Sequence, residues 1–175
     1  TEGQQAIDVV KRYVYPLSFG VKKIFLAFGL IEGFKYNQGY FDFTGLIYDG
    51  RFNSDLGSGV KKLSYYTYKK MVETLEDSDW SNIKSIQEKD GVYVYRLLKH
   101  GAPIYIAWND NQEEKQVTIY GIDSSEVRIT EAVPKYETGK ELADYSTAFE
   151  TETRKVDANK ITITFKDKPV FVEGR

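Results

Sequence analysis

Tyr40 to Trp80, YFDFTGLIYDGRFNSDLGSGVKKLSYYTYKKMVETLEDSDW, decides the fold, because the texture of the chain changes across it. In its second half Tyr65, Tyr68, Val72 and Leu75 recur at i, i+3, i+7 and i+10, so one apolar stripe runs along a helix expected over residues 63–76. Lys69, Lys70 and Glu73 fall largely off that stripe. Upstream, a second helical pattern accompanies one very apolar run; downstream of Trp80 the chain alternates with the period of short strands. The helix is a junction between two expected regions, 1–79 and 80–175.

Working outward toward the N-terminus, Thr1 and Gln4 have the spacing of a capping box, which starts a helix almost at the first residue. Ile7, Val10, Val14 and Leu17 give that helix one side to cover, and Pro16 predicts a kink or an end near Tyr15. Gly20 suits the exit. Next, Ile24, Phe25, Leu26, Ala27 and Phe28 are apolar without alternation, the pattern of a strand covered on both faces, as in a parallel sheet. A lone strand of that kind leaves peptide groups unpaired on both edges, so this region is expected to be the incomplete end of a larger α/β unit. Residues 29–59, long, aromatic and glycine-rich, have the character of a loop decorating the carboxyl end of such a strand.

Working outward toward the C-terminus, Val92 and Val94 alternate with Tyr93 and Tyr95, and Ile104, Ile106 and Trp108 with Tyr105 and Ala107. His100-Gly101 joins these two runs as a hairpin turn. Further strands are expected over 117–120, 127–133, 147–152, 160–165 and 169–172, which together describe an antiparallel sandwich. Trp108 is expected in the sandwich core and Trp80 at the seam between the two regions. The expected class is α+β: a helix-strand-helix followed by a β-sandwich.

The order QQAIDVVKRYVYPLSFGVKKIFLAF, FDFTGLIYDG, LSYYTYKKMVETLED resembles the closing part of the (β/α)8 barrel of clan A retaining glycoside hydrolases, many of which carry a trailing β-sandwich. Phe43, Gly45, Leu46, Asp49 and Gly50, with Tyr65, Tyr66, Tyr68 and Lys69, carry the resemblance jointly. It implies that residues 1–79 are the last helix-strand-helix of the barrel, that the rest of the barrel is the partner, and that the ligand is a polysaccharide or oligosaccharide. Such enzymes use two carboxyl groups about 5–5.5 Å apart. The resemblance sets both on strands upstream of Thr1, so no catalytic residue is expected in this chain. Phe28, Glu32, Tyr36 and Tyr40 are the candidate substrate-binding residues, three aromatic rings for stacking and one acid lining the cleft. One departure stands out: members commonly place a Trp at the end of the eighth strand, and Leu26 stands near that place here. The alternative is a non-catalytic module, binding carbohydrate or acting as a structural interaction domain.

Composition narrows the remaining classes. Among 175 residues, 41% hydrophobic and 29% charged is ordinary for a globular protein, and a formal net charge of -2 supplies no basic stripe for nucleic acid. The absence of cysteine excludes disulfides, thiolate metal sites and a cysteine nucleophile. Apolar runs fall far short of the roughly 20 residues a membrane span needs. No metal or cofactor is expected: His100 has no partner histidine, and Asn109, Asp110 and Asn111 lack the spacing of a calcium loop and read as a polar turn. Asp42 and Asp49 are read as turn or solvated acids, and Glu2 as a first-turn acid complementing the helix dipole.

Overall fold

Helix α1, Glu2–Ser18, starts where the sequence places its cap, with the Thr1 hydroxyl accepting from the Gln4 amide at 3.2 Å. The computed structural model describes residues 1–26, 29–33, 43–111 and 113–175. Pro16 lies inside α1, which runs two residues beyond it; a proline one turn from the end removes only one hydrogen bond before the helix stops. Helix α2 is Leu63–Leu75. Its buried residues are Leu63, Ser64, Thr67, Met71, Thr74 and Leu75, so the covered stripe is rotated by about one residue from the expected one, and Val72 is exposed. Ser64 and Thr67 are small, whereas Tyr65 and Tyr68 are large enough to reach the core from the flank of the helix while staying half-buried.

Beyond α2 the described residues form eight strands: β1 Lys84–Lys89, β2 Val92–Lys99, β3 Ala102–Asn109, β4 Lys115–Tyr120, β5 Glu126–Glu131, β6 Thr151–Lys155, β7 Lys160–Phe165 and β8 Val170–Gly174. Six form one sheet in the order β1-β2-β3-β8-β5-β6, and β4 and β7 form a second; every pairing is antiparallel. The β2–β3 hairpin turns at His100 (φ 50°) and Gly101 (φ 83°), both left-handed, as a two-residue type I′ turn requires. The extra strand relative to the sequence reading is β1, a polar border strand with a bulge at Ile86, between Ser85 and Gln87.

Two apolar layers meet on the six-stranded sheet. Between the sheets, Val94, Tyr105 and Val172 pack against Ile119, Ile161 and Ile163. On the opposite face, Tyr95, Leu97, Ile106, Trp108 and Phe171 pack against Val10 and Val14 of α1 and Met71 and Leu75 of α2. Trp108 is therefore buried on the helix side rather than between the sheets, stacked at 5.2 Å on both Tyr93 and Tyr95. The alternation in β3 explains this: Ile104, Ile106 and Trp108 face the helices while Tyr105 and Ala107 face β4 and β7. Trp80, half-buried, packs at the edge of the helix-side layer, the seam position.

The run expected as a doubly covered strand has no strand partner within its described residues, 24–26. Ile24 and Leu26 are half-buried, with Leu26 against the helix-side core, whereas Phe25 is 82% exposed. Ala27 and Phe28 lie outside the described residues.

Candidate functional site

Three short segments of the loop between the helices are cross-linked by backbone hydrogen bonds. Ile31 bridges Ile47 in parallel, Ile47 bridges Lys61 antiparallel, and the Lys62 amide donates to the Leu46 carbonyl at 2.9 Å. Gly45 permits the close approach, since a Cβ there would sit 2.5 Å from the Glu32 amide nitrogen. This ladder places Glu32 and Lys62 side by side, and the Lys62 ammonium donates to the Glu32 carboxylate with both side chains buried. Lys62 also donates to the Phe43 carbonyl at 3.0 Å and lies 4.8 Å from the centre of the Tyr48 ring. Glu32, Asp49 and Asp55 bring carboxylate oxygens within 4.8 Å of one another, an oxygen set of the kind a hard cation takes. Lys62 already supplies a positive charge to that group through Glu32.

Against this loop lies the first turn of α1. Gln5 donates to the Thr44 and Gly45 carbonyls at 2.9 and 3.1 Å. The Glu2 carboxylate accepts from the Tyr48 hydroxyl, the Leu63 amide and the Gly139 amide. Burial first, and then the bond to Glu2, push the Tyr48 phenol well above its ordinary pKa, so it stays a donor through the mildly alkaline range. Between helix and loop runs an open cleft of about 610 Å³, lined among others by Gln4, Asp8, Phe43, Thr44, Ser54 and Asp55. Phe43 and Phe52 meet at 5.5 Å beside it. Amide, hydroxyl and carboxylate groups beside aromatic rings can hold a polar, hydroxyl-rich ligand.

Of the candidate binding residues, Glu32 is at this cleft, 4% exposed and engaged with Lys62. Phe28, Tyr36 and Tyr40, like Asp42, lie outside the described residues. Asp49 is in the expected turn, its carboxylate accepting from the Arg51 amide at 3.0 Å. The polar-turn reading of residues 109–111 matches the local bonds: Asn109 accepts from the Asn111 amide, and Asp110 pairs with Lys11 of α1. Sequence reading missed both Lys62 and the reach of Glu2. The partners of Glu2 stand 46, 61 and 137 residues away, a separation at which no local pattern gives a signal.

No protein-family model matches the sequence, and no curated relative does. Among solved structures, a GH30 endoxylanase from Clostridium papyrosolvens C71 matches with a TM-score of 0.54 at 11% identity, covering 100% of this chain and 39% of that one. An Anoxybacillus alpha-amylase matches at TM-score 0.44 and 15% identity over 69% of this chain and 24% of that one. A 4-O-alpha-L-rhamnosyl-beta-D-glucuronidase from Fusarium oxysporum 12S matches at 0.39 and 16%, over 52% and 25%. The chain thus spans between a quarter and two-fifths of the length of these proteins, and the first of them shares its fold end to end.

Proposed function

We propose that this chain is the C-terminal portion of a glycoside hydrolase, supplying the last helix-strand-helix of the barrel and the sandwich that braces it, with the catalytic carboxylates outside these residues. The observation that carries this reading is the exposure of large apolar side chains along the segment between the helices. Phe19, Val21, Phe25, Leu30 and Ile31 are exposed, by 65% at Phe19 and 82% at Phe25, directly after a helix whose other face is packed on the sheet. Rings held in water on that scale indicate a face that another layer covers. The fold shared with the endoxylanase over all of this chain and 39% of that protein supports the same reading. The cleft between α1 and the 43–62 loop is then this portion's share of the carbohydrate-facing surface.

The test compares this chain with the natural polypeptide from which it derives, on a panel of polysaccharides with reducing-end detection. The expected result is hydrolysis by the longer polypeptide and none by residues 1–175 alone. Hydrolysis by the short chain at the same rate, or an intact natural mass equal to its 20.1 kDa, overturns the reading. Retardation of the isolated chain on a polysaccharide affinity gel, without hydrolysis by either form, favours the binding-module alternative.

A further inference from the structure

Glu2 aims its carboxylate at donors from three distant parts of the chain. One oxygen, Oε2, accepts from the Leu63 and Gly139 amides, each at 2.8 Å; the other, Oε1, accepts from the Tyr48 hydroxyl at 2.9 Å. Lys62, the N-cap residue of α2, makes no side-chain cap bond, so Glu2 supplies from another helix what a cap residue supplies locally. Gly139 comes in backbone to backbone: a Cβ there would lie 2.0 Å from the Lys61 carbonyl oxygen, so a side chain would drive its amide out of reach. Two fixed amides and one hydroxyl, converging on the two oxygens of one carboxylate, make a receptor defined by geometry rather than by net charge.

We propose that the Leu63 N–H, the Gly139 N–H and the Tyr48 O–H form a carboxylate-binding cradle. Glu2 fills it in cis, and it takes a free carboxylate of acetate size when that side chain is cut back to alanine. Glu2→Ala removes one CH2–COO⁻ unit, the heavy atoms of acetate, so acetate restores both oxygens to their donors while chloride offers one sphere to three. The cradle fastens the cleft loop through Tyr48, the start of α2 through Leu63 and the β5–β6 connection through Gly139 onto a single side chain of α1. Filling it therefore sets the wall of the cleft.

Thermal melts of the wild-type chain and Glu2→Ala, in sodium acetate against sodium chloride at equal ionic strength, read the site directly. Glu2→Ala is expected to melt about 5 °C lower in chloride. Acetate at about 0.1 M recovers roughly half of that loss and saturates. The wild-type melt differs by less than about 1 °C between the two salts, because its cradle is full. A Glu2→Ala melt equal to wild type overturns the proposal, as do equal effects of acetate and chloride on the variant. Should Glu2→Ala not fold, Glu2→Met keeps most of the volume while removing both acceptor oxygens. Amide exchange at Leu63 and Gly139 then accelerates about tenfold, with Met71 inside α2 unchanged. Unaltered protection at both amides is the contrary result.

Discussion

The two sides of the six-stranded sheet are finished to different degrees. On the side of β4 and β7, aliphatic residues of both sheets close over one another; Val94, Ile119, Val127 and Val172 are fully buried. On the helix side the layer against the sheet is as tightly filled, yet just after α1 the chain leaves Phe19, Val21, Phe25, Leu30 and Ile31 in solvent. Tight packing and exposed apolar surface therefore reside in different residues, and substitutions separate them.

The largest effect is expected where the helix layer meets the sheet. Trp108, 2% exposed and stacked against two tyrosines, truncated to alanine removes about 3–5 kcal/mol from the unfolding free energy in urea titrations. Helical and aromatic circular dichroism are expected to be lost together; separate transitions would break the claim that helices and sheet share one core. Next comes the buried pair: Lys62→Met removes the ammonium beside the buried Glu32 carboxylate and costs about 3 kcal/mol, whereas Lys62→Met with Glu32→Leu recovers most of it. A double variant as unstable as the single one would show that the pair does more than neutralise itself.

Alkaline titration sharpens the contrast in another way. Burial foremost raises the phenols of Tyr48, Tyr95 and Tyr145, each also bonded to a glutamate, and pushes Tyr13 up to about 12. Above the unfolded tyrosine pKa of about 10 the unfolded chain gives up these protons while the folded one keeps them. The contribution is thus whole below that pH and lost as pH rises toward the folded values, by less than about 1.4 kcal/mol per tyrosine per pH unit. Stability that stays flat between pH 9.5 and 11 in denaturant melts would contradict the burial of these rings. The smallest effect is at Phe25: replacement by serine is expected to change unfolding by less than about 0.5 kcal/mol, while lowering the fluorescence of a bound apolar dye. A large loss of stability would mean that this ring already has its partner within the chain.

Elements whose signal is local were legible in the sequence. The Thr1 cap, the Leu63 start of α2, the His100-Gly101 turn and the bounds of β7 each follow from residues within one turn or one alternation. β1, with the sequence KSIQEK, escaped because a mostly exposed border strand carries no apolar alternation. The stripe on α2 was misplaced by about one residue because tyrosine counts as apolar in a periodicity yet stays half in water. Among the described residues that line the cleft, Glu32 is the candidate binding residue, read from the sequence as an acid in a long loop. Its pairing with Lys62 depends on three segments crossing, and the bonds of Glu2 depend on the tertiary fold as a whole.

The borders of the six-stranded sheet carry a last consequence. β1 is bulged at Ile86 and carries Lys84, Glu88 and Lys89, and β6 reads Thr-Glu-Thr-Arg-Lys, so each margin confronts an approaching chain with charge, and β1 with a broken hydrogen-bond ladder as well. Zipping on another strand is discouraged at both ends of the sheet. The exposed apolar side chains that follow α1, Phe19, Val21 and Phe25, lie on neither margin, so charge guards the open backbone edges while the apolar exposure sits elsewhere in the chain.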